Sequence, residues 1–526
     1  MKVENIKALS VLFAEKVPEK VPGTFSEGTV ALEAARSFPG TQKTVLLGIE
    51  GTQFPELPSG VELVQRPSWT RVGLLEELSR LSVGYDLTYF AWADCPLLDK
   101  ALAASLAERH MRYAAEYSYA DGWPYGFAPE ILAPGTAGVL AKLCENDDGP
   151  VERDTLFRAI EKDINAFDIE TEISPWDLRP YRLSLTADSK RNLLLLSRLM
   201  GEGSGITAAN ADKIISEKQS LIRTLPAFFN IQVASACPQA CSLCPWPSHG
   251  GEVPVIERKG FMPKAAFAGL LDKITDFAGD AVISLSLWGE LALHPEHEEL
   301  IRLVLDRPAL SLVIETSGIG WKEEELKALA LAASQAAPRK NRMAPLSWIV
   351  SLDAYDPARY REIRGPGFSE ASSCAMALLS LFPNDAYVQA VRVKDSEDDI
   401  EQFFRYWKDK APSDVAGKKD GRHIIIQKYD DFAGALPKKQ ATDLSPVKRR
   451  PCWHIMRDMN ILLDGRVPCC REDLAALKGE GAIWGNAFTE ELSSVWERGA
   501  ALYNQHCKNE YPGLCELCDE FYTYSF

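Results

Sequence analysis

No apolar run in this 526-residue chain approaches the roughly 18 residues of a membrane-spanning helix. The opening, Met1-Lys2-Val3-Glu4-Asn5, has no apolar h-region, so no secretory signal is expected there and the cytoplasm is the expected compartment. Basic residues fall short of acidic ones, 58 against 74, for a net charge of −16. That balance removes the bulk positive footprint of a nucleic-acid binder, and no nucleic-acid partner is expected. Lys438-Lys439 with Lys448-Arg449-Arg450 make a local basic cluster whose plain reading is a solvated loop.

What the chain does have is a soluble protein's composition, 46% hydrophobic and 25% charged. Its length calls for two or three domains. It also has twelve cysteines, ten of them after residue 230 and most of those in groups. In a reducing compartment such grouping reads as metal ligation rather than disulfide bonding.

The densest group is Cys237-Pro-Gln-Ala-Cys241-Ser-Leu-Cys244, after an apolar stretch, Phe228–Val233, and before Pro245-Trp246-Pro247. Three thiolates cannot complete a four-coordinate zinc or iron–sulfur site alone. This C-x3-C-x2-C spacing on a loop after a strand resembles the signature of the radical SAM enzymes. The resemblance implies a [4Fe–4S] cluster on the three cysteines, with one iron left open for the amino and carboxylate groups of S-adenosylmethionine. It also implies a 5′-deoxyadenosyl radical as the working species and an electron donor such as flavodoxin or ferredoxin as partner.

From about 225 to 435 the sequence reads as strands alternating with helices, an α/β pattern that resembles the partial (β/α)6 barrel of the radical SAM core. Expected strands are Phe229–Ala234, Ala281–Leu287, Ser311–Glu315, Ser347–Ser351, Tyr387–Val393 and His423–Gln427. Active sites of such barrels lie at the strand carboxyl ends. Trp288-Gly289-Glu290-Leu291 resembles the family's Gly-Gly-Glu-Pro segment, with Trp and Leu replacing the first Gly and the Pro. Gly289 and Glu290 are therefore candidates for the cosubstrate's amino group. Ser351 and Arg364 match residues that contact its ribose and carboxylate. Gln389 and Arg392, spaced Gln-x-x-Arg, point to opposite strand faces, so only one can face the interior; Arg392 is carried as a candidate. His294, before Pro295, reads as a turn residue, and Cys374 as a small buried side chain.

From 436 to 526 the cysteines regroup: Cys452, Cys469-Cys470, Cys507 and Cys515-x-x-Cys518. Asp464-Gly465 marks a β-hairpin turn. Spacing alone allows a zinc site. Behind a radical SAM core, the order Cys…Gly-x4-Cys…Gly-Asn…Trp…Cys-x2-Cys resembles the SPASM or shorter twitch extension. It implies an auxiliary [4Fe–4S] cluster on Cys452, Cys470, Cys515 and Cys518, with Cys469 and Cys507 left over.

Residues 1 to about 220 also alternate strands and helices, with a mostly parallel sheet expected. The order and spacing of Ala93-Asp94-Cys95-Pro96, Asp121–Glu130 and Tyr181–Asp188 resemble cytidylyltransferases of the glycosyltransferase A-like fold, a nucleotidyltransferase-like domain. Asp94 at a strand end is then a candidate Mg2+ ligand. The family's Gly- and Arg-rich phosphate loop is missing: residues 13–23 hold no Arg and one late Gly, while Glu15 and Glu19 would repel a triphosphate. Gly201–Gly205 is the expected linker. The three-part order resembles the spiro-SPASM proteins, an architecture that implies no particular substrate. Two substrate classes follow, a peptide or protein and a sugar nucleotide or glycan precursor. The alternative is a zinc-stapled or iron–sulfur scaffold without catalysis.

Overall fold

Strong apolar runs bounded by capping residues set the layers. In the computed structural model the described residues are all but 1–5, 17–29, 55, 147, 202–204, 395, 414–418, 443–444 and 523–526. They form two compact units, Met1–Thr224 and Leu225–Phe526. Most of the loop after the first strand (17–23, with Glu19) and the centre of the linker (202–204) lie outside the described residues.

In the first unit, strands β1 (Ala8–Ala14), β2 (Thr41–Ile49), β3 (Val61–Arg66), β4 (Leu87–Trp92), β5 (Tyr117–Asp121), β6 (Glu130–Leu132) and β7 (Ile169–Ile173) lie in the order β3-β2-β1-β4-β6-β5-β7. All neighbours are parallel except β6, which runs against β4 and β5. β1 and β4 are buried along their whole length, as central strands covered on both faces must be.

The second unit is a seven-stranded sheet of β8 (Phe228–Ile231), β9 (Ala281–Ser284), β10 (Leu310–Thr316), β11 (Leu346–Ser351), β12 (Ala386–Arg392), β13 (Ile424–Lys428) and β14 (Asp458–Ile461). The order is β13-β12-β11-β10-β9-β8-β14, parallel throughout. Helices such as Lys264–Ala278, Glu323–Gln335 and Glu397–Lys410 cross between successive strands. Pro357–Arg364 shows why they start where they do: Asp356 accepts from the N–H groups of Ala358 and Arg359, and Pro357 fills the first turn, where no donor is needed.

The six expected strands of this region are present, and the seventh comes from beyond residue 436. β14 pairs in parallel with β8, Asp458 to Phe228 through Ile461 to Ile231. This modifies the hairpin expectation. The chain does turn at Asp464-Gly465, with Gly465 at φ 81°. The strands on either side, however, take separate partners: β14 joins β8, while β15 (Arg466–Pro468) pairs antiparallel with β16 (Ile483–Asn486). Burial of β14 against the large sheet outweighs the local pairing the turn would favour.

Candidate active site

Beyond β8 the chain leaves the sheet and forms the cysteine loop. The Cys237 N–H donates to Val255 O (3.2 Å), Ser242 N–H to Ile363 O (2.8 Å) and Cys244 N–H to Cys241 O (3.3 Å). Arg258 fastens the far side: its guanidinium lies 4.5 Å over the Trp246 ring and donates to the carbonyls of Trp246, Val253, Pro247 and Gly251. Burial pushes the three thiols up, Cys244 to about 12, while Arg364 pulls Cys241 the other way. Thiols so placed ionise when a metal centre takes their protons' place.

Cys237, Cys241 and Cys244 open onto a cavity of about 270 Å3 that also contains Gly289, Glu290, Ser351 and Arg364. Gly289 and Glu290 follow β9, Ser351 ends β11 and Arg364 ends the helix Pro357–Arg364, so the fold gathers on one cavity residues far apart in the chain. Gly289 has no room for a side chain: a Cβ would fall 1.9 Å from the Ala234 carbonyl oxygen. Trp288, where a glycine is expected, still takes a left-handed backbone at φ 50°. Such strain costs about 1–3 kcal/mol and persists where packing over-determines it. Here Trp288 stacks near Trp246 (centroids 6.2 Å apart) and Phe432 (5.5 Å), in an apolar cluster that also covers Cys237 and Cys244.

Glu290 is buried beneath three donors, Thr316 Oγ1 (2.8 Å), Ser317 N–H (2.7 Å) and Ala292 N–H (3.3 Å). Burial raises its pKa and these donors oppose the shift. Arg364 donates to Asp353 (2.6 Å) and to Gln239 (3.1 Å), whose amide in turn donates to the Tyr360 hydroxyl (2.7 Å). Burial works against the charge of Arg364, but Asp353 and the Cys241 sulfur outweigh it and hold the guanidinium charged. Ser351 donates to Glu315 (2.8 Å), which also receives Gln389 (2.7 Å). Gln239, Glu315 and Asp353 went unmarked in the sequence; a lone acid closing the apolar run of β10 is the signal that marks Glu315.

Arg392 does not join this cavity. It pairs with Glu397 at 2.8 and 3.0 Å with its side chain 39% exposed, and Gln389 is the member of the pair that faces inward. His294 accepts from the Glu296 N–H and bonds the Met262 carbonyl, holding a turn, and Cys374 is buried in the helix Phe368–Leu381.

In the C-terminal part, burial pushes Cys452 up to about 12, and Cys515 adds to it. Burial, then Glu472, Cys452, Cys469 and Cys518, raise Cys470. Burial, then Glu472 and Cys452, raise Cys518. The four expected ligands thus share one electrostatic neighbourhood, and Cys469, raised by burial, Asp473 and Cys515, belongs to it as well. Cys469 turns its Sγ to Asp473 Oδ2 (3.6 Å), and Cys507 is half-buried on the helix Ala500–Cys507. Among the described residues no three cysteine sulfurs lie within 4.8 Å of one another.

The expected Mg2+ site at Asp94 does not fit. Arg153 donates to both Asp94 oxygens (2.7 and 2.5 Å) and to Asp188 (2.9 Å), with its guanidinium 4.4 Å over Trp92. Thr186 and Asn192 take the other Asp188 oxygen. The carboxylates are spent on a guanidinium standing where a metal ion would need them.

No family model matches the chain. The crystal structure of Streptococcus suis SuiB bound to precursor peptide SuiA is 15% identical, covering 55% of this chain and 69% of SuiB at a TM-score of 0.40. A cytidylyltransferase from Leptospira borgpetersenii is 16% identical, covering 41% of this chain and 95% of the enzyme at a TM-score of 0.33. At these scores neither likeness carries fold or function to this chain. An uncharacterized protein of Treponema pallidum (strain Nichols) is 36% identical over 380 residues, 70% of this chain and 98% of that protein. The chain belongs to the same family as this Treponema pallidum protein.

Proposed function

We propose that the Leu225–Phe526 unit is a radical SAM enzyme. The observation that carries this reading is the convergence of Cys237, Cys241 and Cys244 with Gly289, Glu290, Ser351 and Arg364 on one cavity at the strand carboxyl ends. When bound, a [4Fe–4S] cluster and S-adenosylmethionine supply reductive carbon–sulfur cleavage and a 5′-deoxyadenosyl radical. The three cysteines would hold the cluster. Gly289 lets the backbone come close, and Glu290, braced by Thr316 and Ser317, would receive the ammonium. Arg364, fixed by Asp353, would meet the carboxylate, and Ser351 the ribose. Trp246, Trp288 and Phe432 pack against Cys237 and Cys244 and would help to keep water from a cluster bound there.

Cys452, Cys470, Cys515 and Cys518 would hold an auxiliary [4Fe–4S] cluster, able to take an electron from a product radical or to bind substrate. A small electron carrier such as flavodoxin or ferredoxin would be the reductant. The substrate is a peptide or protein, or a sugar nucleotide or glycan precursor. Anaerobic purification tests the reading: brown protein with roughly eight irons per chain supports it, and colourless zinc protein ends it. Incubation with S-adenosylmethionine and dithionite should then release 5′-deoxyadenosine.

A further inference from the structure

Every residue of β10 is buried except one: Glu315, on the middle strand of the seven, is exposed, and it faces the cavity. The position is built. Its backbone N–H donates to Ser286 Oγ (2.7 Å), and its Oε1 is held by Ser351 (2.8 Å) and Gln389 (2.7 Å), which also bond each other (3.2 Å). These donors fix the carboxylate but are neutral.

The other acids of the cavity wall are accounted for. Asp353 pairs with Arg364 and Asp430 with Arg471, and Glu290 lies buried under three donors. Among the described residues no lysine or arginine pairs with Glu315. A carboxylate held in place by neutral donors, open to a ligand cavity and carrying no countercharge of its own, offers a fixed negative site to a ligand's cation.

We infer that Glu315 is the countercharge for a cationic group bound in this cavity. This deepens the radical SAM reading by naming a substrate class. A carboxylate in this place favours an amine-bearing group, such as the ammonium of a lysine-type side chain, and repels the phosphates of a sugar nucleotide. The same chemistry is offered by the sulfonium of S-adenosylmethionine, so the test separates the two sources.

Two matched pairs of probes serve, each differing by one charge: N-acetyl-lysine methylamide against N-acetyl-norleucine methylamide, and S-adenosylmethionine against S-adenosylhomocysteine. Affinities are measured by calorimetry on the reconstituted full chain and on Glu315→Gln and Glu315→Asp. The wild type should prefer the cationic member of at least one pair about tenfold, a partly desolvated ion pair's effect. Glu315→Gln should lose that preference and Glu315→Asp keep most of it. Loss on the amide pair assigns the cation to the substrate; loss on the adenosyl pair assigns it to the cosubstrate. No preference in the wild type, or preferences untouched by Glu315→Gln, overturns the inference.

A readout without mutation guards against a variant that fails to fold. Labelling of wild-type Glu315 by carbodiimide and glycine ethyl ester, read by peptide mass, should be slowed by a cationic probe and not by its neutral match. Equal labelling with both members of each pair also overturns it. The amide arm reads binding rather than turnover, so it reports on Glu315 even if the chain holds no cluster.

Discussion

Two carboxylate sites at strand carboxyl ends, one in each unit, make opposite use of the same position. After β4, Asp94 and Asp188 close on Arg153, which supplies the cation from within the chain. On β10, Glu315 is held by neutral donors and keeps its face to a cavity. An acid at a strand end is therefore only half of a site. The partner already in place decides whether the position is structural or open.

The open side of this contrast breaks most completely at the cysteines. Cys241→Ala is expected to reduce 5′-deoxyadenosine release to background under dithionite, as measured by chromatography, and a reconstituted variant with full release would refute the cluster assignment.

Next comes the cavity floor. Gly289→Ala would set a methyl 1.9 Å from the Ala234 carbonyl oxygen, so β8's loop must shift. A cost of about 3 kcal/mol, at the upper end for overpacking, is expected in the urea unfolding of the second unit. An unchanged midpoint would show that this loop yields freely.

The closed side is sharpened by Arg153→Ala, which leaves two carboxylates facing each other. About 2–3 kcal/mol should be lost, less than for a fully buried pair because Asp188 is 30% exposed. The same variant should gain Mn2+ binding by electron paramagnetic resonance where the wild type shows none. Failure to gain it would mean that more than the guanidinium excludes the metal.

The smallest effect is on pH dependence. Burial pushes Asp188 up, but Arg153, Asn192 and Thr186 outweigh it and hold its carboxyl below the usual range. A depressed folded pKa stabilises above the unfolded value of about 3.9 and loses that contribution as pH falls through the folded value. Thermal melts should therefore show the first unit weakening below about pH 4, with a shallower dependence in Arg153→Ala.

The contrast also explains what the sequence could tell. Six β-strands of the second unit are legible because each is a short apolar run between helical patterns, and the cysteine spacing and Gly289-Glu290 are legible because they are contiguous. Arg153 is not: it stands 59 residues from Asp94 and no local pattern ties it there. The Gln239–Arg364 bond spans 125 positions and Glu315–Gln389 spans 74. The turn at Asp464-Gly465 was readable, but the partners of its strands depend on a sheet edge formed more than two hundred residues earlier. Local chemistry names the residues, and long-range packing chooses their partners.

The placement of β14 has a consequence for biosynthesis. The strand that leads into the cysteine loop receives its outer neighbour only when residues 458–461 have been made, and Asn230 and Asn460 then meet across a separation of 230 positions at 3.0 Å. Until then the growing chain carries an unpaired β8 edge, the kind of surface that recruits stray strands. A ribosome stalled before that point would hold a protein with its cysteine loop translated and one flank of its sheet still bare.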